Sequence, residues 1–116
     1  MEKDFIPYQE AFALKELGFD EPCFGHYLMK KFYLKKYHKQ GDGITLRPTY
    51  SQAFRFFREK YGIVGIVKFG TQEFTYNIYN NDAIGLLTKD SLDFNGTYEE
   101  AELACLRKLI EIVKQK

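Results

Sequence analysis

Cysteine, histidine and tryptophan are scarce in this chain of 116 residues, which contains two Cys, two His and no Trp. Cys23 and Cys105 lie far apart and form no Cys-x-x-Cys pair, so nothing indicates a disulfide framework or a four-ligand zinc site. Cys23 with His26 and His38 offers three ligands at most, and we expect a half-buried cysteine and two surface histidines there instead. The sequence therefore predicts reduced thiols, no metal and no cofactor.

Long apolar runs are also missing. Residues 1–4 read Met-Glu-Lys-Asp and lack the basic region and apolar run of a signal peptide. No stretch approaches the roughly 20 apolar residues that cross a bilayer as a helix. The sequence therefore predicts a cytoplasmic protein that makes no contact with a membrane. In such a protein Asn95-Gly96-Thr97, although it matches a glycosylation acceptor, is better interpreted as a turn before a helix.

Motifs for catalysis and nucleotide binding are absent as well. The chain has no phosphate-binding Gly-x-x-x-x-Gly-Lys loop and no Gly-x-Gly-x-x-Gly fingerprint. Acids at positions 20–21, 90 and 93, and 99–100 are pairs of the kind used in general acid–base catalysis. Each pair is explained more simply by a turn, a loop or the first turn of a helix. We therefore expect a protein that is not an enzyme and has no catalytic residue.

Apolar and aromatic residues are plentiful by contrast. They include eleven Phe and nine Tyr, in a composition that is 45% hydrophobic and 28% charged. This balance is typical of a globular chain, and at this length roughly 65% of the unfolded surface can be buried. No internal repeat or low-complexity linker interrupts the sequence. Residues 1–116 are therefore predicted to form a single domain with a core rich in rings.

The first two helices are predicted from their ends and their apolar spacing. Residues 7–17 place Pro7 at the first helical position and Gly18 at a left-handed C-terminal cap. Thr49 and Gln52 have the spacing of a capping box, and Gly62 ends the helix that follows. The apolar residues of this second helix recur at helical spacing and form one stripe: Tyr50, Ala53, Phe54, Phe57 and Tyr61.

A third helix is predicted near the end of the chain. Thr97 and Glu100 have the spacing of a second capping box, and the acids of the first turn suit the positive end of the helix dipole. An apolar stripe runs along the helix, widened by Ala101, Cys105 and Ile112. Its members are Leu103, Leu106, Leu109, Ile110 and Val113.

Residues 63–69 and 73–79 are predicted to form an antiparallel hairpin, with a turn at 70–72 and one wet face on the second strand. Residues 24–38 are aromatic-rich and favour strands, although no single period fits them. A turn is predicted at 40–43, a short returning strand at 44–46, and a loop over 80–96. The order of elements is typical of an α+β fold, here an antiparallel sheet with a hairpin packed against three helices.

Positive charge is concentrated in the middle of the chain. The net charge is +1, but residues 22–81 carry ten Lys and Arg against three acids. Five lysines lie between His26 and Gln40 with no acid among them, and Tyr27, Phe32, Tyr33 and Tyr37 are interleaved with them. The lysines are Lys30, Lys31, Lys35, Lys36 and Lys39.

Two interpretations of this basic patch are open. Lysines that neutralise phosphates beside rings that stack on bases are typical of single-strand-binding surfaces, with Tyr33 and Tyr37 as candidate stacking rings. Arg47, Arg55 and Arg58 would extend the patch if the second helix lies alongside. The alternative is a solvated face of lysines over rings that belong to the core.

Phe56 is the second candidate binding residue. It lies about 100° around the helix from Phe57, beside the apolar stripe, and is flanked by Arg55 and Arg58. Aromatic and arginine side chains dominate interface hot spots, so this arrangement predicts an exposed anchor for a protein partner or a second copy. The alternative is a ring packed under the loop at 80–96.

Three stretches carry a resemblance to a known family: residues 7–23, which include Leu14-Lys15-Glu16-Leu17-Gly18-Phe19, residues 48–62, and residues 98–106. They resemble a family of small proteins of unknown function from Bacteroidetes-type bacteria and their phages. The resemblance implies an intracellular, phage-associated accessory protein and brings no catalytic residues with it.

From these observations we expect a small non-enzymatic binding protein that acts through a protein–protein contact. The alternative is nucleic-acid binding through the lysine and aromatic residues of segment 26–39.

Overall fold

The computed structural model describes residues 2–37, 39–41, 43–69, 73–80, 85–88 and 96–115. Within these ranges the fold is α+β, as predicted, with a 3-10 helix at Glu2–Asp4, three α-helices and six strands. In chain order these are α1 (Tyr8–Glu16), β1 (Gly25–Leu28), β2 (Lys31–Tyr33), β3 (Ile44–Arg47), α2 (Tyr50–Tyr61), β4 (Ile63–Phe69), β5 (Phe74–Asn80), β6 (Gly85–Thr88) and α3 (Tyr98–Lys114).

The chain divides into two compact units, Met1–Ala53 and Phe54–Lys116, with the boundary inside α2. Each unit has an antiparallel sheet of three strands, whereas the sequence predicted one sheet. That residues 1–116 form a single domain stays a prediction. None of the described helices combines the length and the apolar character that spanning a membrane requires.

In the first unit the strand order is β2-β1-β3, and α1 packs on β3. The returning strand predicted at 44–46 is confirmed as β3. Met29 and Lys30 form the two-residue turn between β1 and β2, with φ angles of 52° and 74°. Two positive φ values are what a type I′ hairpin turn requires, although Asn and Gly usually occupy it. The Met29 N–H donates to the carbonyl of Gly43 at 2.8 Å, which ties this turn to the start of β3.

Helix α1 differs from its prediction in two details. Pro7 is the N-cap, with an extended ψ of 164°, rather than the first helical residue. Gly18 has a φ of 95° and follows the helix, in the left-handed conformation that was predicted. Ala11 and Leu14 are fully buried, but Phe12 is 40% exposed because the buried face of α1 is narrower than the apolar residues suggested.

Helix α2 begins with the predicted capping box. The Gln52 N–H donates to the Thr49 hydroxyl oxygen at 3.3 Å, and the Thr49 N–H donates to the Gln52 side-chain oxygen at 3.2 Å. These two bonds satisfy backbone donors that the helix cannot pair internally. Gln52 also donates its side-chain N–H to the carbonyl of Pro22 at 3.1 Å, which links the start of α2 to the segment before β1.

In the second unit the strand order is β4-β5-β6. The predicted hairpin is confirmed by pairing from Ile63 opposite Asn80 to Phe69 opposite Phe74. Its turn at 70–72 lies outside the described residues. The prediction of a loop over 80–96 is wrong at Gly85–Thr88, which pairs with β5 as β6. A four-residue strand carries too few side chains to show a period, so the sequence pattern could not predict it. It forms because β5 offers an unpaired edge.

Helix α3 packs on β4 and β5. Its capping box is confirmed, with the Thr97 N–H donating to Glu100 at 2.9 Å and the Glu100 N–H donating to the Thr97 hydroxyl oxygen at 3.2 Å. Ala101, Cys105, Leu106, Leu109, Ile110 and Val113 are buried, while Leu103 is only half-buried. Gly65 lets the helix approach the sheet, because a Cβ there would lie 2.7 Å from Cys105 Sγ.

Candidate functional site

The predicted lysines lie together in the first unit. Lys30 is in the β1–β2 turn, Lys31 begins β2, and Lys35, Lys36 and Lys39 are in the segment that follows. All five side chains are exposed. None of them forms an ion pair with a carboxylate among the residues that the structure describes. These five residues, called the lysine surface below, therefore present positive charge to solvent rather than neutralising acids of the described part of the chain.

Exposed apolar side chains accompany the lysine surface. In the described part of the chain ten large hydrophobic side chains are exposed, and six of them lie between residues 24 and 37. The six are Phe24 at 65%, Leu28 at 42%, Met29 at 77%, Tyr33 at 39%, Leu34 at 57% and Tyr37 at 36%. Apolar groups concentrated in this way mark contact surfaces more often than scattered ones do.

His26 organises the two candidate rings. Its side chain is buried, and its ring centroid lies 5.6 Å from that of Tyr33, nearly parallel at 18°. The Tyr37 ring lies 4.7 Å from His26 at 42°. Nδ1 of His26 is 3.0 Å from the carbonyl oxygen of Lys35, and since a carbonyl only accepts, Nδ1 carries the hydrogen. The prediction of a surface histidine at position 26 is therefore wrong.

The same hydrogen bond stabilises a bulge beside β1. His26 is opposite Tyr33 in the ladder, but the next pairing joins Cys23 to Tyr37. Residues 34–36 therefore face only residues 24–25, one residue fewer. Where the backbone pairing of the two strands is interrupted, the His26 side chain donates a hydrogen bond to the Lys35 carbonyl. In a regular ladder a backbone N–H of the neighbouring strand would donate that bond. The bulge places Leu34, Lys35 and Lys36 at the surface, where all three are exposed.

A pocket of about 420 Å³ opens beside this bulge and is called the Phe24 pocket below. Two of its walls, Phe24 and Leu34, are more than half exposed, whereas Phe5 is only 6% exposed. Lys36 Nζ lies 5.8 Å from the centroid of the Phe24 ring, within the range of a cation–π contact. The lining residues are Asp4, Phe5, Phe24, Leu34, Lys35, Lys36 and Thr49.

Arg47 does not extend the lysine surface as predicted. Its side chain is 6% exposed, and its guanidinium carbon lies 4.4 Å from the ring centroid of Phe32 and 5.0 Å from that of Tyr27. Nε donates to the carbonyl of Ile6 at 2.6 Å. The guanidinium makes cation–π contacts with these rings and also donates to the backbone, so Arg47 stabilises the core of the first unit. Tyr27 is buried and Phe32 half-buried, so these two rings are structural.

The prediction that Phe56 is an exposed anchor is wrong. Phe56 is 6% exposed, and its ring makes T-shaped contacts with Phe57 at 5.5 Å and Tyr61 at 5.8 Å. The buried face of α2 in the second unit is wider than a single stripe and includes the position 100° away. Arg55 and Arg58, also in the second unit, are exposed. That they bind a partner stays a prediction.

The two cysteines are both buried, and burial changes the pKa of each thiol. Burial, with a smaller contribution from Glu21, raises the pKa of the Cys23 thiol to about 12. Burial, with a smaller contribution from Glu102, raises the pKa of the Cys105 thiol to about 12 as well. Both thiols are free and protonated near neutral pH, and a protonated thiol is a poor nucleophile. Among the described residues no three His, Cys, Asp or Glu side chains are grouped to hold a metal. His38 lies outside those residues.

No protein-family model, curated protein or solved structure matches the chain. The resemblance to proteins of Bacteroidetes-type bacteria and their phages stays a prediction.

Proposed function

We propose that this chain is a non-enzymatic binding protein that contacts an acidic protein partner through the lysine surface and its neighbouring apolar side chains. One observation carries the proposal. Six exposed hydrophobic side chains and five lysines without an acidic partner among the described residues lie within residues 24–39. Apolar area contributes affinity, and complementary charge contributes association rate and specificity. We also propose a cytoplasmic location, where free thiols such as Cys23 and Cys105 persist.

The shape of the surface favours contact without large rearrangement. The bulge at residues 34–36 is held by the His26 hydrogen bond and by the backbone pairing of Cys23 with Tyr37, whose two N–O distances are 2.9 Å. A preorganised contact surface loses less conformational entropy on binding than a mobile one.

Affinity capture with charge-reversed variants tests the proposal. We expect the wild-type chain to capture a partner that the double variant Lys35→Glu with Lys36→Glu loses. The matched control is Lys68→Glu with Lys114→Glu, which makes the same charge change at exposed positions of the second unit. Nuclease treatment should leave capture unchanged. Equal capture by all three chains would overturn the assignment of the contact to the lysine surface.

Single-stranded nucleic acid is the second candidate ligand. The specific observation is that Tyr33 and Tyr37, half exposed around His26, lie among the lysines, with Lys31 Nζ 5.7 Å from the Tyr33 ring centroid. Bases stack on such rings while lysines neutralise phosphates. Capture that disappears after nuclease treatment would favour this candidate over a protein partner.

A further inference from the structure

We infer that the Phe24 pocket receives one large apolar side chain from a linear segment of the partner, and that Asp or Glu residues lie next to that side chain. This inference rests on the proposed function, because it assigns the partner's anchor residue within the same contact.

The apolar walls of the pocket indicate what would occupy it. Phe24 and Leu34 are 65% and 57% exposed, so an inserted side chain would remove much of their surface from water. The driving force for that transfer is roughly proportional to the apolar area buried. The volume of about 420 Å³ is in the range of about 300–1,000 Å³ found for binding sites. It therefore suits a Leu, Met or aromatic side chain with part of its backbone.

The charges around the pocket indicate the flanking residues. Lys35 and Lys36 both line it, and neither has an ion pair among the described residues. A carboxylate beside the inserted side chain would meet these two ammonium groups. Asp4 and Thr49 also line the pocket. A carboxylate accepts hydrogen bonds, so Asp4 suits the backbone N–H groups of an extended peptide better than it suits acidic side chains.

The floor of the pocket is firmly packed. The ring centroids of Phe5 and Phe32 are 5.8 Å apart, and both rings pack closely against Gly25. A Cβ on Gly25 would lie 2.8 Å from Phe32 and 3.3 Å from Phe5. The Phe5 backbone also pairs with Thr49, which fixes the side of the pocket where Asp4 lies. The site is therefore largely formed before a ligand arrives, as anchor pockets usually are.

Selection of random peptides displayed on phage tests the inference. The full chain is immobilised, and enriched peptides are synthesised and measured by fluorescence anisotropy. We expect enriched peptides to share a large apolar residue next to Asp or Glu. Phe24→Glu and Leu34→Glu should each weaken their binding at least about tenfold, as loss of a hot-spot contact does. The matched control is Phe69→Glu, which places the same charge at a Phe that is 64% exposed in the second unit.

The outcomes separate this inference from the proposed function. Enriched acidic peptides that lack an apolar residue, and that bind Phe24→Glu as tightly as wild type, would overturn the inference that an apolar side chain enters the Phe24 pocket. The proposal of an acidic partner would still stand. Absence of enrichment would overturn the pocket too, while the capture experiment decides the proposed function by itself. Melting curves of both pocket variants confirm folding, and since Phe24 and Leu34 are exposed, we expect the variants to melt like wild type.

Discussion

His26 shows how one residue can define a surface without lying on it. Its imidazole is buried, yet it contacts Tyr33 and Tyr37 and donates to the Lys35 carbonyl. Three exposed residues of the candidate site are therefore in contact with one buried histidine. An isolated histidine in a sequence carries no periodicity, so its role could be found only from its contacts.

Phe56 gives the first prediction. Because its ring is buried, Phe56→Ala should lower the free energy of unfolding by about 3–5 kcal/mol through lost burial and a cavity. Urea denaturation followed by circular dichroism measures the change. Phe24→Ala, the same truncation at a 65% exposed ring, is the control and should change stability by about 0.5 kcal/mol or less. If Phe56→Ala melts like wild type, the ring is not packed as described.

At the scale of single elements, the β1–β2 turn combines strain with exposure. Met29 and Lys30 adopt left-handed φ angles that bulky side chains rarely adopt, and both are exposed. Such strain costs about 1–3 kcal/mol per residue and often accompanies a functional surface. The turn is therefore a place where stability and binding are expected to conflict.

Replacing the turn by its preferred residues tests that conflict. Met29→Asn with Lys30→Gly should raise the free energy of unfolding by about 1–2 kcal/mol, because Asn and Gly adopt positive φ with less strain. The same double variant should bind an acidic partner more weakly, since it removes one lysine and one exposed apolar side chain. Chemical denaturation and anisotropy with the selected peptides measure the two effects. A destabilised variant would contradict the assignment of the turn.

The N-terminus of α3 gives a prediction about pH. Hydrogen bonds from Thr97, first from its backbone and then from its side chain, lower the pKa of Glu100 below its ordinary value of 4.5. A carboxylate whose pKa is lower in the folded state stabilises the fold above its unfolded pKa. This contribution is lost as the pH falls through the folded pKa. Acidification should therefore destabilise the wild-type chain more than Glu100→Gln, which keeps the shape of the side chain but cannot titrate.

Thermal melts at neutral pH and at a pH well below 4.5 measure this difference. Glu99→Gln, in the same turn of α3, is the matched control for loss of one negative charge. If Glu100→Gln loses as much stability on acidification as wild type does, the capping box contributes nothing that depends on pH.

At the scale of the whole molecule, salt dependence distinguishes the two candidate ligands. If the lysine surface neutralises about four phosphates of a single strand, the logarithm of affinity should fall with the logarithm of salt at a slope near −3, from ~0.7 per contact. Fluorescence anisotropy with short oligonucleotides from about 50 to about 200 mM salt measures the slope. Tyr33→Ala or Tyr37→Ala should weaken the free energy of binding to the oligonucleotide by about 1–3 kcal/mol without changing the slope.

The same measurement can eliminate nucleic acid. Absence of binding at the lowest salt, where non-specific attraction is strongest, would eliminate nucleic acid and leave either an acidic protein partner or a solvated face of lysines. The variant to compare with wild type is Lys30→Glu with Lys31→Glu. It should reduce the affinity for every oligonucleotide by the same factor, whatever the base sequence. An oligonucleotide that binds this variant as tightly as wild type would show that the phosphates lie elsewhere.

The starts of α2 and α3 and the pairing of β4 with β5 could be predicted from the sequence because the forces that set them are local. Thr49 reaches Gln52, and Thr97 reaches Glu100, across three residues of chain. The exposure of the five lysines could be predicted from the sequence as well, since five charges in one short segment cannot all be buried.

Other features were decided only by tertiary structure. Periodicity reports which way a side chain points from its own element, but it does not show whether another segment covers it. Arg47 is therefore enclosed by rings from Phe5, Tyr27 and Phe32, and Phe56 is buried although it lies beside the stripe. Tyr33 faces solvent although Tyr27, in the same aromatic stretch, does not. The Phe24 pocket joins residues 4–5, 24, 34–36 and 49, which only the folded chain brings into contact.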